Sequence, residues 1–286
     1  MQAALKINLK SKRLLMVLVG CAFLLLALAF YFYLPLGHEW SHTFRPAALR
    51  LIQGISPYND QGYLGYYNPP WLLLPIIPFA LLPEQLGYAF FTLVGLLAFT
   101  FIAYRCKVKS WFVIPILLSY PVTFCLYRGQ VDWLVLLGIT LPPQFGLLLV
   151  LAKPQIGIGI AVYWLISAFR IGGFKRLLIT IWPTLAAYLI SVLLFGLWFI
   201  PPAGIENSVI NASLWPESIP IGLALLVYAL RKFDLNFSML ASPFFSPYLP
   251  AYSWSGALLA LSQYPFELVA VSIGTWIWRF VQIIQS

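Results

Sequence analysis

The chain has 286 residues, of which 62% are hydrophobic and only 9% are charged. Soluble globular domains carry about a quarter charged residues, so this composition excludes a water-soluble fold. The formal net charge is +9, yet the basic residues do not gather into one patch of the kind that binds nucleic acid. Because most of them punctuate apolar runs, we predict an integral membrane protein with no nucleic-acid partner.

The N-terminus resembles a signal peptide but differs in length. Residues 1–13 carry four basic side chains, and the uncharged run that follows, 14–36, is too long for the usual core of a signal peptide. We interpret this run as a retained first membrane helix after a cytoplasmic basic segment. The remainder has no internal repeat and no separate soluble region, which predicts a single membrane domain over 14–286.

Uncharged runs determine the predicted architecture, because about 20 apolar residues span the hydrocarbon core of a bilayer. Ten such runs lie at 14–38, 61–83, 85–104, 110–127, 133–152, 154–169, 177–205, 218–230, 235–266 and 268–278. Several are short or interrupted by proline, so the pattern predicts an all-α fold with eight to ten crossings. The run 235–266 is rich in proline, serine and aromatic residues, which predicts irregular backbone shielded by protein.

Lysine and arginine near the ends of these runs predict the orientation. If ten segments alternate from a cytoplasmic N-terminus, the long polar loop 37–70 faces the outside together with 201–217. One basic group, formed by Arg105, Lys107 and Lys109, then falls on the outer side. Either an early segment is re-entrant or this group departs from the rule.

The loop 37–70 contains a predicted interfacial helix. Pro46 suits the first turn of a helix, and Gly54 suits its end. The apolar residues expected to share the face toward the bilayer are Ala47, Ala48, Leu51 and Ile52. Arg50 and Gln53 would face water, so the segment is predicted to lie beside the membrane surface.

The polar residues just before this helix are His38, Glu39, His42 and Arg45. A carboxylate beside two imidazoles and a guanidinium can act as a general base, because the cations tune its pKa and the imidazoles relay protons. The alternative is an interfacial group of ordinary loop charges. Asp60, the other acid of the loop, lies among turn-forming residues, so it is a candidate base or a turn residue.

Polar residues that border long apolar runs are the second candidate group: Arg128, Gln130, Asp132, Lys153 and Gln155. Such residues are costly at membrane depth unless they are paired or line a wet cavity, which predicts a function. Arg128 and Lys153 together can bind a phosphate or pyrophosphate. The alternative is an Arg128–Asp132 ion pair, with Lys153 extending toward the membrane surface. Lys153 also precedes a proline, which predicts a helix boundary there.

Motifs of soluble enzymes are absent from the sequence. It contains no P-loop, dinucleotide fingerprint, nucleophile elbow or zinc-protease motif, and its three cysteines lack metal-ligand spacing. We therefore predict no metal site and no nucleotide or hydride chemistry. The glycosylation sequons at Asn211 and Asn236 are weak matches, which we attribute to chance.

Several short motifs follow one another in a characteristic order along roughly 14–265. They are Glu-Trp at 39–40, Phe-Arg-Pro-Ala at 44–47, Gly-Ile-Ser-Pro-Tyr at 54–58, Asn-Pro-Pro-Trp at 68–71, Gly-Gln-Val-Asp at 129–132, Lys-Pro-Gln at 153–155 and Ser-Pro followed by a final Tyr at 246–252. Each motif is weak evidence alone, but the order in which they occur resembles that of glycosyltransferase family 87.

This resemblance implies a GT-C fold, which is a polytopic helical enzyme with its active site at the external face of a prokaryotic plasma membrane. It implies an inverting hexosyltransferase, similar to mannosyl- or arabinosyltransferases, that takes its sugar from a polyprenyl-phosphate donor. No metal or other cofactor is implied. The implied partners are membrane lipids, the lipid-linked sugar donor, and a glycan or glycolipid acceptor.

The resemblance also implies roles for single residues. Glu39, which stands where the family usually has aspartate, would take the proton of the acceptor hydroxyl, with Asp60 as the less favoured base. Arg128 and Lys153 would stabilise the leaving polyprenyl phosphate. The residues expected to bind the sugar or the acceptor are His42, Arg45, Tyr66, Tyr67, Asn68, Trp71, Gln130, Asp132 and Gln155.

Two other functions remain open. Glutamate at position 39 is one methylene longer than aspartate, which would displace the base by about 1 Å unless the loop compensates, and such a misplacement can cost about 10²-fold in rate. The chain is also compact, so an inactive GT-C-like subunit that packs against membrane-protein partners is the main alternative. A transporter or channel is less favoured, because the sequence lacks inverted repeats and has few acids at membrane depth.

Overall fold

The computed structural model describes residues 9–58, 65–200 and 210–285. Within these ranges the regular structure is helical, and the only β-type pairing is an isolated bridge between Asn211 and Pro250. The predicted all-α class is confirmed. The helices surround a core rich in aromatic side chains, which includes Trp40, Tyr88 and Phe91.

The N-terminal part combines two long helices with several short ones. The elements are α1 (Leu9–Tyr33), a π-helix (Trp40–Phe44), α2 (Arg45–Ile52), a 3₁₀-helix (Pro70–Leu73), α3 (Ile77–Ala80) and α4 (Glu84–Arg105). The long helices α1 and α4 pack against each other. Glu84 in the first turn of α4 and Arg105 in its last turn both complement the helix dipole.

The middle of the chain is divided into short helices. They are α5 (Ser110–Leu118), α6 (Tyr120–Arg128), α7 (Asp132–Leu137), a 3₁₀-helix (Gly138–Thr140) and α8 (Pro143–Val150). Helix α6 ends at Gly129, whose φ of 74° is a left-handed conformation that favours glycine. The turn after α6 therefore holds Arg128 and Asp132 at the facing ends of two helices.

The C-terminal part begins with the longest helix. The elements are α9 (Pro154–Phe195), α10 (Ile219–Lys232), α11 (Leu235–Ala241), two 3₁₀-helices (Ser242–Phe245 and Ala251–Trp254), α12 (Ser255–Ala260), a 3₁₀-helix (Leu261–Gln263) and α13 (Pro265–Gln285). Helix α9 starts directly after Lys153, which confirms the predicted boundary, and non-helical backbone at Gly172 and Gly173 interrupts it. The short, largely buried helices within 235–266 confirm the predicted irregular backbone.

Three helices in the described part of the chain are long and apolar enough to cross a membrane: Glu84–Arg105, Pro154–Phe195 and Pro265–Ile284. Helices α5 and α6, bent by 59°, form either a fourth broken span or a re-entrant loop. These helices support the prediction of a helical membrane protein. The count of eight to ten crossings stays a prediction, because several uncharged runs are divided into shorter helices.

The predicted helix of the loop 37–70 is present as α2, and Gly54 follows it with a φ of 72°. Its predicted orientation is wrong in one respect. Ala47 and Ala48 were expected at the bilayer, but both are fully buried in the protein core. Helix α2 packs against α3, so its small side chains face protein, while Ile52 is exposed.

Candidate functional site

A cavity of about 220 Å³ lies where the π-helix, the C-terminal end of α6 and the N-terminal end of α9 meet. Several predicted site residues line it: Glu39, Asn68, Arg128, Gln130, Lys153 and Gln155. They come from sequence positions far apart and from both predicted groups, the loop before α2 and the ends of the apolar runs. The structure thus brings those two groups together in one place.

Trp40 anchors the loop that carries Glu39. Its side chain is fully buried, stacks 5.1 Å from the Phe91 ring, and donates its indole N–H to the Glu84 carbonyl oxygen at 3.2 Å. Gly129 permits this packing, since a Cβ there would lie 2.6 Å from Trp40 Cβ. The fixed indole therefore holds the adjacent Glu39 beside the end of α6.

Glu39 and Arg128 form a bidentate ion pair, here called the rim pair. Arg128 Nε lies 2.7 Å from Glu39 Oε2, and its Nη2 lies 2.9 Å from Oε1. The guanidinium also lies over the Phe124 ring, 5.7 Å from its centroid. Because each carboxylate oxygen has two lone pairs, Glu39 can still accept a hydrogen bond from a hydroxyl in the cavity.

The two histidines of the loop lie beside the rim pair at the surface. The His38 and His42 rings are 4.7 Å apart, and His42 Nδ1 lies 2.9 Å from the His38 carbonyl oxygen. Arg128 Nη2 approaches His38 Nδ1 at 3.4 Å. Partial burial and, next, the Arg128 charge lower the pKa of His38, although Glu39 opposes this shift. The neutral ring is therefore favoured, and it can accept from Arg128.

A second ion pair, the deep pair, is formed by Lys153, which lines the cavity, and Asp132, which lies behind the cavity wall. Lys153 Nζ donates to Asp132 Oδ1 and, at 2.9 Å, to Gln130 Oε1. Asp132 Oδ2 accepts a hydrogen bond of 2.9 Å from the Ser253 hydroxyl. Asp132 is fully buried, and it opens α7, where the helix dipole favours an acid. The structure thus favours Lys153, rather than Arg128, as the partner of Asp132.

Tyr66 and Trp71, expected at the sugar or acceptor, are used in packing. Tyr66 is buried and donates its hydroxyl to the Pro69 carbonyl oxygen at 2.7 Å. Trp71 donates its indole N–H to the Leu148 carbonyl oxygen at 2.9 Å. Asn68 and Tyr67 from the same segment do line the cavity. The segment therefore contributes its polar residues to the cavity while its larger aromatic residues hold it in place.

The other expected residues lie around the cavity or outside the described chain. His42 is exposed beside His38, and Arg45 Nη2 lies 3.5 Å from the Leu82 carbonyl oxygen. Asp132 acts from behind the wall by holding Lys153. Asp60, the second candidate base, lies outside the described residues. Glu39 is thus the candidate base that the structure places.

Sequence reasoning missed the role of the segment that closes the cavity. Tyr248 and Tyr252 line it, and the Tyr252 hydroxyl accepts a hydrogen bond of 2.8 Å from Gln130 Nε2. Both tyrosines lie in the motif at 246–252, which was noted only for its place in the motif order. That motif, together with Ser253 directly after it, was the signal that the sequence offered for this role.

Among the described residues, the acids and cations of the cavity form two pairs. Glu39 meets Arg128, and Asp132 meets Lys153, so two acids face two cations. Between the pairs, side-chain amides and phenols offer hydrogen bonds to a polyhydroxylated or phosphorylated ligand. Across the described residues, no group of three or more histidine, cysteine, aspartate or glutamate residues is placed to hold a metal ion.

Comparisons of the chain with protein-family models, with curated proteins and with solved structures found no match. The resemblance to glycosyltransferase family 87 therefore depends on the sequence motifs. The fold is consistent with a helical membrane protein, and the described residues of the site form a polar cavity with two ion pairs.

Proposed function

We propose that the chain is a membrane glycosyltransferase of family 87 with a GT-C fold. It transfers a hexose such as mannose, or a pentose, from a polyprenyl-phosphate donor to an external glycan or glycolipid acceptor. The N-terminus would lie in the cytoplasm of a prokaryotic cell, with the cavity outside. The observation that carries this proposal is the convergence of Glu39, Arg128 and Lys153 on one cavity.

In this proposal Glu39 is the general base of an inverting transfer. The acceptor oxygen forms a bond to the anomeric carbon while its proton passes to the Glu39 carboxylate. The bond from that carbon to the phosphate oxygen breaks on the opposite face of the sugar, and the oxygen keeps the electron pair. Arg128 orients the carboxylate through two hydrogen bonds, and protonation of Glu39 releases part of the guanidinium charge toward the phosphate.

Lys153 supplies the fixed positive charge for the leaving phosphate. Its ammonium group has three N–H donors, two of which are held by Asp132 and Gln130. The third is available to a ligand in the cavity that Lys153 lines. A preorganised cation stabilises negative charge as it develops, because no reorganisation is needed at the moment of reaction.

A larger cavity of about 550 Å³ supports a lipid-linked donor. Aromatic and small apolar residues line it, among them Tyr120, Trp254 and Trp278. The 3₁₀-helix Ala251–Trp254 separates the two cavities, since Tyr252 faces the polar one while Ala251 and Trp254 face the apolar one. A phosphate in the polar cavity thus lies near an apolar groove that suits a prenyl chain.

The test is transfer by purified protein from labelled polyprenyl-phosphate mannose to membrane acceptors. Wild type should transfer the sugar with inversion. Glu39→Gln should lower the rate by about 10²-fold to 10⁴-fold, because a general base contributes that much. Glu217→Gln, which changes an exposed acid outside the cavity, is the matched control and should not alter it. Absence of transfer by wild type across the acceptor set would contradict the proposal.

A second function is an inactive GT-C-like subunit of a larger membrane complex. The observation that favours it is that both ion pairs satisfy their charges within the protein, as purely structural pairs would. In that case Glu39→Gln leaves glycan synthesis in cells unchanged, and membrane-protein partners copurify with the chain. Loss of synthesis in Glu39→Gln with normal amounts of folded protein excludes this second function.

A further inference from the structure

The deep pair begins a chain of hydrogen bonds whose direction is fixed by chemistry. A lysine ammonium only donates, so the Gln130 atom 2.9 Å from Lys153 Nζ must be its oxygen. The orientation of a glutamine amide is otherwise ambiguous, but here the lysine determines it. The amide nitrogen of Gln130 therefore points to Tyr252.

This orientation determines what the Tyr252 hydroxyl can do. An amide N–H only donates, so the phenolic oxygen accepts the 2.8 Å hydrogen bond from Gln130. The single phenolic proton must then point elsewhere. Tyr252 is 4% exposed and lines the cavity, and within the described residues Gln130 is the hydrogen-bond partner of its hydroxyl. The proton is therefore directed toward whatever occupies the cavity.

The surroundings of Tyr252 indicate the chemistry of that occupant. Lys153 Nζ lies 5.0 Å from the centroid of the Tyr252 ring, so a group that accepts from the phenol is also near the ammonium. Tyr252 and Lys153 therefore both offer donors to the ligand. Phosphate oxygens only accept, whereas sugar hydroxyls both donate and accept, so a phosphate matches this wall best.

We infer that Tyr252 donates a hydrogen bond to a phosphate oxygen of the lipid-linked donor, and that Gln130, Lys153 and Asp132 hold it in this donor role. The inference rests on the proposed function, because it takes the donor class from there. As the bond from the anomeric carbon to the phosphate oxygen breaks, this hydrogen bond strengthens with the growing charge. The proton stays on the phenol, because the step needs only a hydrogen-bond donor at the phosphate oxygen.

Binding of farnesyl phosphate to purified protein in lipid nanodiscs, measured by titration calorimetry, tests the inference without requiring catalysis. Tyr252→Phe should weaken binding by about 10-fold to 100-fold, because hydrogen bonds to charged groups contribute that much. Tyr228→Phe removes an exposed phenol of α10 outside the cavity and is the matched control, with unchanged affinity expected. Thermal unfolding of each variant shows whether the fold is kept.

Gln130→Glu tests the direction of the hydrogen bonds. A carboxylate at this position accepts from Lys153 and from Tyr252, so the phenolic proton turns away from the ligand. In the Gln130→Glu background, Tyr252→Phe should then lower the affinity for farnesyl phosphate by less than about 3-fold. The added negative charge alone would lower the affinity without making the two substitutions depend on each other. The phosphorus-31 NMR signal of bound farnesyl phosphate should shift in Tyr252→Phe and stay unchanged in Tyr228→Phe.

Three results would overturn the inference: unchanged affinity in Tyr252→Phe, an equal cost of that substitution in both backgrounds, or equal binding of farnesyl phosphate and farnesol by wild type. Competition by inorganic phosphate separates recognition of the phosphate from recognition of the chain. If farnesyl phosphate binds as expected but no sugar is transferred, the proposed catalysis fails while the role of Tyr252 stands. If sugar is transferred but Tyr252→Phe binds farnesyl phosphate as tightly as wild type, the proposed catalysis stands while the role of Tyr252 fails.

Discussion

The rim pair and the deep pair have the same chemistry in different surroundings. The side chains of Arg128 and Glu39 are 20% and 10% exposed, whereas those of Lys153 and Asp132 are 6% and 0% exposed. The rim pair joins a loop to a helix end, and water or a ligand can replace part of it. The deep pair joins the starts of α7 and α9 and is almost completely buried, with only Lys153 reaching the cavity. In the proposed function, we therefore assign proton exchange with the acceptor to the rim pair and a fixed positive charge for the phosphate to the deep pair.

The largest effect should follow from breaking the deep pair. Lys153→Met leaves Asp132 buried without its cation, and loss of one partner of a buried pair destabilises by about 3–5 kcal/mol. Unfolding of the detergent-solubilised protein by denaturant measures the change. Lys175→Met, at an exposed position of α9, is the control. The double variant Asp132→Asn with Lys153→Met should regain part of the loss, and no recovery would contradict the pairing.

The next largest effect should come from Gly129, which supports the rim pair indirectly. Gly129→Ala places a Cβ 2.6 Å from Trp40 Cβ at a φ of 74°. Left-handed strain and overpacking together should destabilise by about 2–4 kcal/mol. Gly54→Ala shares the positive φ but meets no atom within 4 Å, so it isolates the strain. Equal losses in the two variants would show that contact with Trp40 is unimportant.

Breaking the rim pair should cost less stability than breaking the deep pair. Arg128→Met removes two charge-assisted hydrogen bonds at a partly exposed site, for which we expect a loss of about 1–2 kcal/mol. The same denaturant experiment measures it, with Arg176→Met at an exposed position as the control. A loss as large as that of Lys153→Met would remove the distinction between the pairs.

The smallest effect should be a pH dependence from His38. Its pKa lies below 6.5 in the folded protein, through burial first and Arg128 second. The neutral ring is favoured on folding, so stability is retained above 6.5 and declines as the pH falls below it. Unfolding midpoints at pH 7.5 and 5.5 should differ less in His38→Asn than in wild type. An equal difference in His38→Asn and in wild type would contradict this origin of the pH dependence.

Much of the fold was predictable, because the composition and length of an apolar run determine the local secondary structure. The helical class, the start of α9 after Lys153 and the fragmented backbone before α13 all follow from apolar spacing and proline. The pairing of charges was not predictable in this way. Spacing of four residues favoured an Arg128–Asp132 pair, but the left-handed turn at Gly129 separates the two helices that carry them.

The sequence also did not predict which residues pack against distant elements of the chain. Ala47 and Ala48 were assigned to the bilayer because a helical face does not reveal whether lipid or protein covers it. Asn211, attributed to a chance sequon, holds the backbone of the last motif: its Oδ1 accepts from the Leu249 N–H at 2.8 Å and its Nδ2 donates to the Pro247 carbonyl oxygen at 3.0 Å. Only the fold brings these positions together.

The residues that form the ion pairs and hydrogen bonds of the cavity wall are also synthesised in a fixed order. Glu39 is synthesised 89 residues before Arg128, and Asp132 is synthesised 21 residues before Lys153. Ser253, the second partner of Asp132, follows 121 residues after it. Each acid therefore leaves the ribosome before its cation, and the buried carboxylate gains the hydrogen bond from Ser253 only after the chain has been made as far as that residue. Assembly of the cavity thus waits for the segment that carries Tyr252 and Ser253, although Glu39 is made 89 residues before its own partner Arg128.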